Sequence, residues 1–164
     1  MAEVIKGRQT ATVDDDVVVF LIGMRFNRIL RPWTWLPAFN AMPKMLRELA
    51  SQPELGLLGY RTYWSGRVIL AVQYWRSFEH LEAFARDRDD PHLEAWRRFW
   101  KRVGTSGRTG IWHETYLVRA GEYEAIYGNM PPFGLGKASK LVRVSESSQA
   151  RGRLKAGAGR APSA

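Results

Sequence analysis

Residues Val17 to Asn27, VVVFLIGMRFN, decide the fold. The run is rich in Val, Phe and Ile and follows the acidic stretch Asp14 to Asp16, so it reads as a β-strand. One alternation is Val18, Phe20, Ile22, Met24 and Phe26; the other is Val17, Val19 and Leu21, which turns polar only at Arg25 and Asn27. Successive side chains in a strand point to opposite faces, so a strand apolar on both faces needs a cover on each.

Downstream of this strand, after the turn RILRPW, residues Leu36 to Ala50 place Phe39, Met42, Leu46 and Leu49 on one helical stripe. Pro37 suits the first turn, and Pro43 is expected to kink or interrupt the helix. Leu57 to Trp64 and Arg67 to Trp75 are two strand-like runs joined at Ser65-Gly66, a tight hairpin. Ser77 is a fitting N-cap for a helix carrying Phe78, Leu81, Phe84 and Ala85. Asp90-Pro91 opens a second helix with Leu93, Trp96, Trp100 and Val103, which Gly104 closes. Gly110 to Val118 is the final strand of this body.

The order strand, helix, hairpin, helix pair, strand is the split βαβ pattern of a ferredoxin-like α+β domain. Its helices cover one face of the sheet. The other face would be bare in a monomer, while the hairpin adds Tyr60, Tyr63, Trp64, Tyr74 and Trp75 to the apolar surface needing cover. A second copy supplies that cover, which predicts a homodimer of the dimeric α+β barrel type. The domain is expected to span 17–136, with a flexible lead-in over 1–16 and a basic, disordered tail over 137–164, rich in Ala, Gly, Ser and Arg.

The formal charge of +9 suggests a nucleic-acid partner at first sight. The tail, however, holds seven basic residues against Glu146 alone and leaves the body at +3, too dilute for a phosphate-backbone surface. No nucleic-acid partner is therefore expected. Absence of cysteine excludes disulfides, thiolate nucleophiles and iron–sulfur ligation, and fits a reducing, cytoplasmic location. The apolar run Val17 to Met24 is too short to span a bilayer, so no membrane partner is expected either.

Chemistry concentrates in GIWHETYLVRAGEYEAIYGNMPPFGL, Gly110 to Leu135. Titratable, hydrogen-bonding and aromatic side chains are mixed here, the composition of a pocket wall rather than of plain core. His113 is the leading candidate for a base, since imidazole exchanges a proton near neutral pH; the competing reading is a satisfied structural histidine. Glu114 points to the opposite face, in company with Trp112 and Tyr116, so His113 and Glu114 form no dyad. Arg25 and Asn27 could orient a carbonyl, phenolate or carboxylate, or could simply solvate a strand end. Tyr127 and Asn129 could hold an enol or peroxide oxygen, against a turn-forming role for Gly128-Asn129.

His80 and His92 each begin a helix and are the candidates if haem is bound. The three histidines show no zinc spacing, and no metal site is expected. GLGKAS, Gly134 to Ser139, resembles a phosphate loop but has Pro131 where the first glycine belongs, and Asp14 to Asp16 lacks the spaced partners of a calcium loop. Neither a GxSxG elbow nor a dinucleotide GxGxxG occurs.

Together GMRFNR (Gly23 to Arg28), the WLP and MPKM elements (Trp35 to Met45), DPHLEAW (Asp90 to Trp96), GIWHETY and YGNMPPFGL resemble the monooxygenase-like family filed as domain of unknown function 4188. The resemblance spans about Val17 to Leu135. That family is similar to the antibiotic-biosynthesis monooxygenases of the dimeric α+β barrel superfamily. The resemblance implies the same fold and an oxidation of a small apolar metabolite, phenolic or terpenoid, by dioxygen. Under it His113 is the expected base, with Arg25, Asn27 or Asn129 stabilising an oxyanion. Trp112, Tyr116, Tyr127, Trp33 and Met130 are the expected substrate contacts. No cofactor is expected in this reading; the alternatives are a haem enzyme of the same superfamily, ligated by His92, and a non-catalytic ligand-binding dimer.

Overall fold

In the computed structural model the described residues are 2–86, 101, 106–144 and 149–158. Of the helix expected from Asp90 to Gly104 only Lys101, which is helical, lies among them; His92 lies outside. The main sheet is built from β2 (Val17–Phe26), β3 (Leu57–Ser65), β4 (Val68–Trp75) and β5 (Thr109–Val118), in the order β3-β4-β2-β5 with every pair antiparallel. Helix α1 (Leu36–Ala50) connects β2 to β3 across β4, and α2 (Phe78–Arg86) follows β4. This is the ferredoxin-like split βαβ arrangement of an α+β domain.

The hairpin closes over Gly66-Arg67 between the paired Ser65 and Val68, one residue later than the spacing suggests. Gly66 supplies the positive φ, 54°, that a two-residue turn needs at its first position. Ser77 caps α2: its Oγ accepts from His80 N. Helix α1 is continuous through Pro43, so the proline does not interrupt it. Pro43 sits on the exposed side, and Arg47 Nε donates to its carbonyl at 3.2 Å.

The even-numbered residues of β2 face the helices. Val18, Leu49, Leu57, Trp75 and Leu81 form the buried core, with Phe20, Leu55, Tyr60 and Phe84 packed against it. Burial of such side chains is worth about 1.5–3 kcal/mol each, so this cluster carries much of the stability.

Two expectations about the ends of the chain are corrected. The lead-in contains a strand, β1 (Ile5–Thr12), which pairs with β6 (Tyr127–Met130) and with β7 (Lys140–Arg143) in a second sheet ordered β6-β1-β7. The tail contains β7, the short helix α3 (Leu135–Ala138) beginning just before it, and α4 (Ala150–Ala158). Helix α4 is tied back by Arg153 Nε, which donates to Glu124 Oε1 at 2.6 Å. Local hydrophobicity is weak in both ends, but backbone pairing between them satisfies their polar groups.

This terminal layer packs on the sheet face away from the helices. Arg61 of β3 lies 4.0 Å over the Phe133 ring, and a Cβ on Gly59 would stand 3.3 Å from Ala138 Cβ. The chain itself thus covers part of the surface that the sequence reading leaves to a second copy.

Candidate functional site

The register of the main sheet assigns every candidate to a face. His113 is opposite Ile22, which is opposite Ala71, which is opposite Thr62. The adjacent row is Thr115, Phe20, Gln73 and Tyr60, and the next on the other side is Ile111, Met24, Ile69 and Trp64. These rows share the helix-side face. His113 is exposed, and its ring stands 5.7 Å from that of Phe20 at a 41° tilt. An imidazole beside Phe20, Ile22 and Met24 can exchange a proton with an apolar ligand lying on those side chains.

Gln73 adds a polar group that the sequence reading did not single out. It is buried, and its Oε1 accepts from Trp75 Nε1 at 2.9 Å. A lone amide in the otherwise apolar alternation Ile69, Ala71, Gln73, Trp75 was the available signal.

The opposite face carries Trp112, Glu114 and Tyr116, as the strand alternation predicts. Tyr116 donates from its hydroxyl to Glu114 Oε2 at 2.6 Å. That bond, with the carboxylate's charge, raises the phenol's pKa. Trp112 lies across Gly23: a Cβ there would fall 2.5 Å from the indole Nε1, so only glycine admits the ring.

Arg25 and Asn27 do come together. Arg25 Nη1 donates to Asn27 Oδ1, and Asn27 Nδ2 donates to the Gly107 carbonyl at 2.9 Å. Arg25, however, is opposite Gly110 and Val68, hence on the face away from His113. Asn129 takes a left-handed conformation, φ 51°, at an irregularity in the β1–β6 register, and its Oδ1 accepts from Gly7 N at 2.9 Å. That is a backbone-shaping role. The three groups expected to stabilise an oxyanion are therefore not gathered around His113 within one subunit.

Tyr127 accepts from Gly136 N at 2.9 Å, and burial raises its pKa against that bond. Tyr74 is its counterpart: burial first, then Tyr127 and Tyr63, raise its pKa, while the Leu135 backbone bond lowers it. Tyr74 thus ties the start of α3 to the main sheet, and Tyr127 ties it to the second sheet. Met130, half-buried, ends β6 opposite Ile5. Trp33 is 60% exposed on a 3-10 turn, Pro32–Thr34, far along the chain from these groups.

Of the described histidines, His80 is committed to structure. Its Nδ1 lies 2.9 Å from Ser77 Oγ, and its ring packs on Gly56, where a Cβ would come within 2.5 Å of it. These contacts give His80 a structural role, and His92 is outside the described residues.

Fold and face assignments define a ferredoxin-like α+β domain with a histidine on an apolar, aromatic sheet face. The chain belongs to the Monooxygenase af470-like family, whose model matches residues 17–135. It is 29% identical over 162 residues to Monooxygenase af470 of Aspergillus fumigatus (strain Af293), covering 87% of this chain and 58% of that protein's length. Among solved structures it is similar to Rv0793 from Mycobacterium tuberculosis, at TM-score 0.43 and 17% identity over 60% of this chain and 92% of that one. A dimeric ferredoxin-like protein from an uncultured marine organism gives TM-score 0.42 and 16% identity over 63% and 95%.

Proposed function

We propose that the chain is a monooxygenase-type oxidoreductase acting on a small apolar metabolite, aromatic or terpenoid, without a cofactor, and that His113 is its base. The observation that carries this reading is the His113 imidazole beside Phe20, on the helix-side face that also presents Ile22 and Met24. Family membership supports the class of reaction.

An electron-rich ring with an acidic methylene suits such a site. The imidazole removes a proton from carbon, the resulting carbanion reduces and adds dioxygen, and the imidazolium returns the proton to the peroxide. Loss of the second hydrogen with cleavage of the O–O bond leaves a carbonyl and water. The balance is one methylene and one dioxygen giving one carbonyl and one water, with no external reductant. Packing against Phe20 and Met24 would hold the ring.

Two copies are proposed to associate through the face away from the helices, along the part that the terminal layer leaves open. Tyr116, 50% exposed there, supports this.

A dihydroxyanthrone is a suitable probe because its methylene is acidic. Purified protein without visible absorbance should consume one dioxygen for each quinone formed, at a native mass of twice the chain. A Soret band on the active protein, or peroxide released in place of water, would refute the cofactor-free reading.

A further inference from the structure

Four strand ends meet at one end of the main sheet: β2 finishes at Phe26, β3 at Ser65, β4 starts at Val68 and β5 at Thr109. Backbone bonds from Phe26 N to Arg67 O, 2.8 Å, and from Arg28 N to Arg108 O, 3.1 Å, hold the connecting loops side by side. Arg25, Arg28, Arg67 and Arg108 are all exposed here. The segments that meet, 22–47, 59–78 and 106–113, contain no Asp or Glu.

Large apolar side chains stand in the same place. Leu30 is 91% exposed, Trp64 63%, Trp33 60%, Ile29 44% and Leu36 40%. The tip that carries four of them is built firmly rather than loosely. Arg31 N donates to Arg28 O, Trp35 Nε1 donates to Ile29 O at 3.3 Å, and the Trp35 ring stacks 4.5 Å from Phe26 and 6.0 Å from Phe39. A fixed turn that directs Leu and Trp outward amid arginines has the composition of a membrane-interface contact.

We propose that this end of the sheet docks on an anionic bilayer surface, with Leu30 and Trp33 entering the headgroup boundary and the arginines pairing with lipid phosphates. Charge complementarity selects this occupant. An isologous contact with a second copy would bring arginines against arginines, which disfavours self-association through this end. Among the described residues no helix is long and apolar enough to cross a membrane, so the contact is peripheral. It departs from the sequence expectation of no membrane partner, which rested on spanning length alone.

The test is co-sedimentation of the full chain with phosphatidylcholine vesicles, with and without phosphatidylserine. Binding is expected only with phosphatidylserine, weakening as salt rises. Leu30→Glu and the pair Arg28→Ala, Arg67→Ala should each weaken it by about tenfold or more, with unchanged melting and native mass. No sedimentation with phosphatidylserine vesicles overturns the proposal. So does wild-type binding by Leu30→Glu, which would assign the attraction to the basic tail. A changed native mass in Leu30→Glu would assign the surface to a second copy and likewise overturn it.

Discussion

His113 and Glu114, neighbours in sequence, serve opposite faces of the main sheet: the imidazole stands 5.7 Å from the Phe20 ring, while the carboxylate accepts from Tyr116 at 2.6 Å on the other side. The sheet thereby keeps the imidazole and the carboxylate apart. Glu114→Gln should return the Tyr116 phenol toward the ordinary tyrosine range, because the bond and charge that raise it are removed. Ultraviolet titration of phenolate absorbance checks this.

Gly23 faces the Trp112 indole at a distance no side chain can share. Gly23→Val should destabilise the fold by about 1–3 kcal/mol, as overpacking of a filled site does. Urea unfolding followed by tryptophan fluorescence measures the change.

Trp75 is fully buried and depends on Gln73 Oε1 for its indole hydrogen bond. Gln73→Leu leaves that N–H without its acceptor, at a cost of about 1–3 kcal/mol, seen as a lower urea midpoint with unchanged slope.

Tyr74 and Tyr127 both have pKa values raised above the ordinary 10.0, burial being the first cause in each. The folded state then binds more protons than the unfolded state once pH exceeds 10.0, so stability is complete below that pH and falls as pH rises through the folded values. Thermal melts of the wild type should drop more steeply above pH 10.0 than those of Tyr74→Phe, Tyr127→Phe.

The main sheet was legible because its signals are local. VVVFLIGMRFN alternates on both faces, the runs beside Ser65-Gly66 pair with each other, and Ser77 caps its helix. The terminal layer was not legible. IKGRQTAT has few large apolar residues, and its partners Tyr127–Met130 and Lys140–Arg143 lie more than a hundred positions away, so no local pattern announces β1. At the site, alternation placed His113 opposite Glu114, Trp112 and Tyr116. It could not tell which face the helices cover, and it joined Arg25, Asn27 and Asn129 to His113 because side-chain chemistry alone carries no register. Asn129 was drawn in by its amide, which the structure uses on Gly7 N.

The most direct measurement of the central claim is dioxygen uptake by His113→Ala with a dihydroxyanthrone, beside Glu114→Gln as the opposite-face control. The account predicts that His113→Ala loses about a hundredfold or more of kcat with its melting temperature preserved, and that Glu114→Gln keeps wild-type turnover. Full turnover by folded His113→Ala would contradict it.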